Sequence, residues 1–520
     1  MTETPETAPR LVGVLDMGAS AIRLVIAEIT ARGSFRIVEE ASRGVLLGRD
    51  SFSSGSISAA TADRAVAAIQ GFRQLMDSYG VRDVRAVATS AVREADNRDM
   101  FLDQVQGRTG IQFDIINEAE ESRLLFLALR DALGKHASFK GAWTLLVEVG
   151  GGSTSLTLLQ RGEPNRSAVY ALGAVRLRQQ LDLRRHSHDV QVALLKRYVA
   201  NVIDEIRLDI PLRRIGSLIA TGGDVRFAAS QILEADAESG VREIPREAFL
   251  RFCDDVAALN DEEIVDRFRL PAVEGDALMP ALLIYRTLLS ETSARRMVIA
   301  DASLRAGVLI DLAEPEGPVS AQDFEHQVLA SAEAVGNKYR FDGDHGRHVA
   351  RLSTRLFDEL QKHHRLGGRE RLLLQVAALL HDIGIYLSLR AHHKHSQYIL
   401  ASSQIFGLSD DETALVSNVA RYHRRGLPQR THLPYIALDR QDRLIVNKLA
   451  AILRVANALD AEHLQKIEDV RLSQEGRAWT LELLGEGDLT MEQLAATARA
   501  DMFAETFGRP LLIRAAGVVS

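Results

Sequence analysis

The segment that decides the fold is LLVEVGGGSTS, at residues 145–155. An apolar run ends in the acid Glu148, and three glycines and two hydroxyl residues precede the next apolar run. Since glycine lacks a Cβ atom, the turn between the two predicted strands can bring backbone N–H groups close to an anion. A carboxylate at the strand end can hold a metal ion against that anion. The alternative is an ordinary glycine-rich hairpin.

The N-terminal region contains a second unit of the same kind. A β-rich run over residues 11–15 ends in Asp16, Gly18 lies in the turn, and residues 22–29 return as a strand. Two acids at strand ends, facing each other across a cleft, form the arrangement that a Mg²⁺–phosphate site needs. Because the chain contains two such units, a phosphate site is a more specific prediction than a single unit would allow.

The rest of the first half alternates strands and helices, which is typical of an α/β fold. The periodicity predicts strands at residues 84–88, 111–116 and 297–300, and helices from residue 61, over residues 118–133 and over residues 303–311. The segment LIATGGD, at residues 218–224, is predicted to be a third unit in which a strand is followed by glycines. Acidic residues lie in the first turn of the predicted helix at residues 118–133. Without further context, their favourable interaction with the helix dipole is enough to explain them.

Length and composition restrict the class of protein. The chain has 520 residues, so three or four domains are expected, and 46% apolar and 26% charged residues are ordinary globular values. The net charge of −7 means that any polyanion site must be a local basic patch. The single cysteine, Cys253, excludes a disulfide framework. With no signal peptide and no membrane-length apolar run, we expect a cytoplasmic protein without membrane or nucleic-acid partners.

Seven segments resemble, in order and spacing, the exopolyphosphatase/guanosine pentaphosphate phosphatase family: LDMGASAIRLVI, ATSAVREADN, EESRL, VEVGGGSTS, LGAVRL, ATGGDVR and SLRAGVL. The resemblance implies two ribonuclease H-like domains of the actin/sugar kinase type, at residues 1–134 and 135–313. After a linker at residues 313–320, it implies an all-α HD-type domain at residues 321–465. A small α+β domain is expected at residues 466–520, and the family resemblance implies a homodimer.

The resemblance also assigns roles to residues of this chain. Glu121 aligns with the general base of the family, and Asp16 and Glu148 are expected to hold Mg²⁺. The residues expected to contact phosphate are Gly18, Ser20, Arg23, Arg93, Gly150, Gly151, Gly152, Ser153, Gly222 and Gly223.

Two of the family's phosphate motifs are incomplete here. The first, D-x-G-S-N-S, keeps Asp16 and Gly18, but Ala19, Ser20 and Ala21 follow. The second, D-x-G-G-G-S-x-E, has Glu148 as its first acid, and Ser155 replaces its last acid. Serine offers a neutral hydroxyl in place of a carboxylate. Low activity, an altered substrate preference, or binding without turnover are therefore alternatives.

Histidines concentrate in the second half of the chain. His345, His381, Asp382 and Asn457 resemble the H…HD…D pattern of HD-type metal phosphohydrolases, with Asn457 in place of the last aspartate. An amide is a poor substitute for a carboxylate ligand beside histidines. We therefore expect a degenerate site in which His381 and Asp382 serve helix packing, without a tightly bound metal.

Residues 390–432 contain six Lys or Arg and five His against three acids, which singles out this segment in an acidic chain. Lys394, Arg421, His423 and Arg424 are predicted to form a polyphosphate track. The alternative is an ordinary solvated helix face.

The function that these features favour is an exopolyphosphatase, which removes the terminal phosphate of inorganic polyphosphate with Mg²⁺. Glu121 would deprotonate water, and the glycine amides with Arg93 would stabilise the transferred phosphoryl group. The alternatives are a guanosine pentaphosphate 5′-phosphohydrolase, a weakly catalytic polyphosphate- or alarmone-binding regulator, and, with less support, a sugar kinase.

Overall fold

The computed structural model describes residues 9–30, 34–134, 141–233, 241–313, 318–424 and 426–515. The chain forms two compact units, Met1–Ala321 and Gln322–Ser520. Half of the predicted linker at residues 313–320, namely residues 314–317, lies outside the described residues, and its last three residues begin a helix. Among the described residues, no helix is long and apolar enough to cross a membrane.

The first sheet of unit one contains β1 (Arg10–Met17), β2 (Ala21–Ile29), β3 (Phe35–Gly44), β4 (Asp83–Ala88) and β5 (Asp114–Ile115). Their order is β3-β2-β1-β4-β5. The first three strands are antiparallel, and β4 and β5 run parallel to β1. The fifth strand is shorter than predicted, since only two of its residues pair with β4 at the sheet edge.

Five helices accompany this sheet: α1 (Leu47–Ser54), α2 (Ala59–Ser78), α3 (Ser90–Arg93), α4 (Arg98–Thr109) and α5 (Glu118–Leu133). The last begins and ends where the sequence predicted. Its first turn is fixed by Asn117, whose side-chain oxygen accepts the N–H of Glu120 at 2.9 Å.

The second sheet contains β6 (Thr144–Val149), β7 (Thr154–Gln160), β8 (Glu163–Tyr170), β9 (Ser217–Thr221), β10 (Val241–Pro245) and β11 (Arg296–Ala300). Their order is β10-β11-β9-β6-β7-β8. Three antiparallel strands are again followed by two parallel ones, β9 and β11, so the second sheet repeats the first and adds β10 at its edge. The predicted α/β fold is confirmed.

The helices of this half are α6 (Ala174–Gln180), α7 (His188–Asp209), α8 (Gly223–Ile232), α9 (Arg246–Ala257), α10 (Asp261–Phe268), α11 (Ala272–Glu291) and α12 (Leu304–Ala313). The last returns to the first sheet, where Leu304 and Val308 pack with Val12 and Val14. It crosses α5 so closely that a Cβ atom on Gly307 would overlap a backbone carbonyl of α5. This contact ties the end of unit one to the helix that carries Glu121.

Unit two begins as a helical bundle: α13 (Pro318–Lys338), α14 (Gly343–Glu359), α15 (Gln361–His364), α16 (Gly368–Leu380), α17 (His392–Ala401), α18 (Asp410–Arg421), α19 (Leu433–Ile436) and α20 (Arg440–Ala458). It ends with β12 (Ile467–Glu475), β13 (Ala478–Gly485), α21 (Thr490–Thr497), α22 (Asp501–Phe507) and β14 (Leu511–Ala515). The helices and the closing strands share one hydrophobic core, which includes Leu380, Leu449 and Leu481.

Candidate functional site

The turns that follow β1 and β6 lie against each other in unit one. A Cβ atom on Gly151 would be 2.9 Å from Ser20 Oγ and 3.0 Å from Ala19 Cβ, so a larger residue at this position would force its neighbours to shift. Asp16 lies near the end of β1 and Glu148 near the end of β6. The two predicted acid–glycine units therefore meet at one place.

The carbonyl groups of the glycine turn after β6 accept hydrogen bonds from the start of α6. The Gly150 N–H closes the turn by donating to Ser153 O at 2.8 Å. The N-terminus of α6 donates to the carbonyl oxygens of Gly150 and Gly151 at 3.0 and 2.9 Å. Among the described residues, the N–H groups of Gly151, Gly152 and Ser153 have no protein acceptor. The predicted phosphate contact of the Gly150 amide is thus corrected, while the next three amides remain available.

Three carboxylates from separate elements act on one another here. Burial and the negative charges of Glu121 and Asp16 raise the pKa of Glu148 to about 8. Burial also raises the pKa of Glu121, although the positive charge of Arg93 opposes the shift. The Glu121 side chain remains 24% exposed, so water can reach its carboxylate.

Arg93, at the end of α3, contacts the predicted base. Its Nη1 donates to Ile116 O at 2.7 Å and to Glu121 Oε2 at 3.3 Å. Its buried Nη2 lies 3.5 Å from a carboxylate oxygen of Glu118 and makes no hydrogen bond to any residue that the structure describes. The predicted phosphate ligand and the predicted base therefore form one pair.

Further arginines lie around the acids. Arg23, a predicted phosphate contact, lies opposite Asp16 in the β1–β2 register, with its Nη1 4.0 Å from Asp16 Oδ2. Arg305 approaches the same oxygen to 3.4 Å, and Arg226 lowers the pKa of Glu148 against the effect of burial. The sequence did not single out Arg226 or Arg305, although both lie in the quoted segments ATGGDVR and SLRAGVL.

Arg176 is another residue that the sequence prediction missed. Unlike Arg226 and Arg305, it supports the glycine turn. Its Nε donates to Gly152 O at 2.5 Å, and its Nη2 donates to both oxygens of Glu94 at 2.6 and 2.8 Å. The guanidinium also lies 4.0 Å from the centre of the Phe52 ring. The buried Arg176 thereby connects the turn after β6 with the end of α3. The segment LGAVRL contains it, which was the available signal.

The third glycine unit is a strand followed by a helix. Gly222 has φ +127°, and a Cβ atom on it would be 3.0 Å from the hydroxyl of Tyr285. That buried hydroxyl accepts the Val149 N–H at 2.9 Å and donates to Thr221 O, which joins the ends of β6 and β9. Gly222 precedes α8 and Gly223 begins it, next to the end of the strand that carries Glu148. Their predicted contact with phosphate stays a prediction.

Ser155, where the family has an acid, lies directly opposite Glu148 in the β6–β7 register. Its Oγ is 3.5 Å from Ser122 Oγ. The three side chains line a cavity of about 10 Å³, which is close to the smallest space that holds one water molecule. No larger group fits there without movement of its neighbours.

In unit two, the predicted HD-type residues come together. The Nε2 atoms of His345 and His381 are 3.3 Å apart, and each is 3.1 Å from Asn457 Oδ1. Asp382 adjoins them, with Oδ2 3.6 Å from His381 Nε2. Two residues that the sequence prediction did not include here, His392 and His423, face the other oxygen of Asp382.

The predicted polyphosphate track needs one correction. Lys394 and Arg424 are exposed, and Arg421 is half-buried with a hydrogen bond to Gln397. His423, in contrast, is 1% exposed because its ring turns inward to Asp382. It cannot contact a ligand on the outer face.

Comparison with known proteins now identifies the family. The model of the Ppx/GppA phosphatase family matches residues 25–316, and that of Ppx/GppA phosphatase domain III matches residues 329–499. The chain belongs to the Ppx/GppA phosphatase family. The family resemblance of the sequence motifs is therefore confirmed.

Two relatives within this family differ in how much of the chain they match. The guanosine-5′-triphosphate,3′-diphosphate pyrophosphatase of Aeromonas hydrophila is 23% identical over 469 residues, which cover 86% of this chain and 86% of the relative. Exopolyphosphatase 1 of Mycobacterium bovis is 26% identical over 343 residues, which cover 63% of this chain and 95% of the relative.

A solved structure shares part of the fold of this chain. The crystal structure of an exopolyphosphatase from Cytophaga hutchinsonii superposes with a TM-score of 0.54 and 22% identity. The match covers 59% of this chain and 99% of that one. At this identity the likeness concerns the fold alone.

Proposed function

We propose that this chain hydrolyses the terminal phosphoanhydride bond of inorganic polyphosphate with Mg²⁺. The observation that carries the proposal is the position of Glu121. Its partly exposed carboxylate interacts electrostatically with Asp16 and Glu148 and is hydrogen-bonded to Arg93. The turn with the free glycine amides directly follows the strand of Glu148. Family membership and the relative named exopolyphosphatase 1 support the same reaction.

Glu121 is the proposed general base. A carboxylate whose pKa is raised by burial binds a proton more readily than an ordinary one, which suits removal of a proton from water. Arg93 holds the carboxylate by its hydrogen bond, and its positive charge favours the ionised form, against the effect of burial on the pKa. The amides of Gly151, Gly152 and Ser153 are free to donate to the oxygens of the phosphoryl group.

Asp16 and Glu148 fit the proposed Mg²⁺. This ion is usually bound by one or two carboxylates, with water and substrate phosphate oxygens as its other ligands. Glu148, whose pKa is raised by burial and by neighbouring acids, is a group that a cation would keep ionised. When bound, the cation neutralises charge on the phosphate oxygens.

Guanosine pentaphosphate is the second candidate substrate. The pyrophosphatase relative matches 86% of this chain, which is more than unit one and so includes part of unit two, whereas the exopolyphosphatase 1 relative matches 63%. Phosphate release from long polyphosphate and from guanosine pentaphosphate, measured side by side with Mg²⁺, distinguishes the two. Faster release from guanosine pentaphosphate would replace the first proposal. Tight binding without release from either substrate would favour the binding regulator, which Ser155 and Asn457 motivate.

The finer domain assignment is also a proposal. The repeated strand order supports two ribonuclease H-like domains at residues 1–134 and 135–313. We also propose an HD-type domain at residues 321–465 and a closing domain at residues 466–520. The protein is further proposed to be a homodimer and to be cytoplasmic.

Ser155→Glu is expected to raise activity in a Mg²⁺-dependent manner. The new carboxylate would lie beside Glu148, so that two acids of β6 and β7 could attract the cation. Without Mg²⁺ the variant should melt at a lower temperature than the parent, because a second acid then adjoins a cavity of only about 10 Å³. Thermal melting and phosphate release, each with and without Mg²⁺, measure both effects.

Ser155→Gln is the matched control, because it has nearly the same size without the charge. It should lose stability with or without Mg²⁺ and gain no activity. If the glutamate variant behaves like the glutamine variant, the position does not contribute to cation binding. Asp224, whose pKa is raised to about 6 by burial, would then be the candidate for a compensating acid.

Charge reversal at Arg421 and Arg424 is expected to weaken binding of long polyphosphate. Burial lowers the pKa of His432, and the positive charges of Arg421 and Lys394 lower it further, so both charges act at one place on this unit. Each phosphate that meets a basic residue releases a counterion, and the double variant should therefore also show a flatter salt dependence. Short substrates should be hydrolysed at nearly the parental rate.

Arg440→Glu with Arg477→Glu is the control, since both residues are exposed and the change in charge is the same. It should leave the preference for chain length unchanged. An equal loss on long substrates in both double variants would mean that net charge, and not a track, determines the affinity.

A further inference from the structure

A cluster of four imidazoles surrounds Asp382 in unit two. His345 comes from α14, His381 from the end of α16, His392 from the start of α17, and His423 from the residues after α18. All four side chains are at most 6% exposed. All of its residues belong to the second unit, whereas the residues of the phosphate site belong to the first.

The proton of each ring is held on the side that faces away from the centre of the cluster. Every Nδ1 atom lies within hydrogen-bond distance of an acceptor: His345 with Asp460 Oδ2 at 2.8 Å, His381 with Ala378 O at 2.6 Å, His392 with Leu389 O at 3.1 Å, and His423 with Ala420 O at 2.6 Å. Carbonyl and carboxylate oxygens only accept, so each Nδ1 donates. In a neutral imidazole, Nε2 then carries a lone pair.

When all four rings are neutral, these lone pairs converge with no donor between them. The Nε2 atoms of His392 and His423 are 3.1 Å apart, and they lie 3.1 and 3.2 Å from Asp382 Oδ1. That carboxylate oxygen is buried and makes no hydrogen bond among the described residues. Three acceptors at such distances repel one another and lack the hydrogen bonds that buried polar groups require.

A divalent cation would turn this repulsion into ligation. At metal–ligand distances of about 2.1 Å, neighbouring ligands are about 3.0 Å apart in an octahedron and about 3.4 Å apart in a tetrahedron. The three observed distances fall between these values. Histidines that ligate a metal usually donate their other ring N–H to a carbonyl or carboxylate, and both rings do so here.

A second, weaker pocket lies on the other side of Asp382. The Nε2 atoms of His345 and His381 and the amide oxygen of Asn457 are 3.1–3.3 Å apart. Asp382 Oδ2 is more distant, at 3.6 Å from His381 and 4.0 Å from His345. A neutral amide and a remote carboxylate give this pocket less negative charge than the first.

We propose that unit two binds a divalent transition-metal ion tightly between Asp382, His392 and His423, and a second ion more weakly between Asp382, His345, His381 and Asn457. Neutral imidazoles with a carboxylate suit first-row transition metals such as Mn, Fe, Co or Zn. The expectation of no tightly bound metal rested on Asn457, which belongs to the weaker pocket alone.

The test uses the full chain, purified without a metal-affinity step. Elemental analysis should find about one transition-metal ion per chain, retained on dialysis. After the metal is stripped, Co²⁺ should restore occupancy, with a visible absorption band and a higher melting temperature. His423→Gln should weaken the Co²⁺ affinity by more than about 100-fold, since changes at groups that only hydrogen-bond to a metal ligand already cost about 10–100-fold.

His326→Gln is the matched control, because this imidazole of the same unit is exposed on α13, and it should leave Co²⁺ binding unchanged. Asp16→Asn should also retain the transition metal, which separates this centre from the proposed Mg²⁺ site. A stripped parent protein that is folded by circular dichroism but binds no Co²⁺ would overturn the inference, whatever the stability of the variants.

Asn457→Asp tests the second pocket, because it replaces a neutral amide by a carboxylate that can ligate a metal ion. The added carboxylate should strengthen binding of the second ion and leave the first unchanged. If the variant still binds a single Co²⁺ at saturating concentration, the two-ion part of the inference is wrong.

Discussion

Replacing Glu121 by glutamine is expected to lower kcat by about 10²–10⁴-fold, the usual contribution of general acid–base catalysis. Glutamine keeps the shape of the side chain and its contact with Arg93, but it cannot accept a proton from water. Because the change removes a group used in the chemical step, KM should change by no more than a factor of a few. Steady-state phosphate release from the preferred substrate measures both constants.

Glu120→Gln is the control for this experiment. Glu120 lies in the same turn of α5, but its carboxylate binds Arg123 through two hydrogen bonds of 2.8 Å. The control should keep parental turnover within a small factor. Turnover close to the parent in the Glu121 variant would remove Glu121 from its proposed role and would return the acidic start of α5 to the helix-dipole explanation.

Several parts of the fold and site could be predicted because they depend on local sequence. Asp16 and Glu148 follow apolar runs and precede glycines, and strand pairing then places each at a turn. The start of α5 was predictable since Asn117 is a good N-cap and acids follow it. In both cases, residues within a few positions of one another determine the structure.

The contacts that were missed join residues far apart in the chain. Arg305 approaches Asp16 across 289 positions, because α12 returns to pack on the first sheet. His423 was assigned to a surface track on the charge of its neighbours, yet it lies on the inward side of the residues after α18. Local charge could not predict this orientation, since it depends on where α16 places Asp382.

Arg93→Ala is expected to lower kcat by about 10²–10³-fold, comparable to the loss of one preorganised hydrogen-bond donor to a transition state. Arg93→Lys should recover little of this loss. A lysine keeps the positive charge but has a single terminal nitrogen. It can take over the contacts that Nη1 makes with Ile116 O and Glu121, but it cannot also supply the N–H groups of Nη2. Arg108→Ala, which removes an exposed arginine paired with Asp63, should leave kcat unchanged.

The pH dependence separates the two roles proposed for Arg93. Its charge favours the ionised form of Glu121 and so lowers a pKa that burial raises. Removing Arg93 should therefore raise the pKa of Glu121 further, and because the base must be ionised to act, the acidic limb of the kcat profile should move to higher pH. A lower kcat with an unmoved limb would mean that Arg93 acts on the phosphate alone. An unchanged kcat at every pH would show that the contact with Glu121 has no part in the reaction.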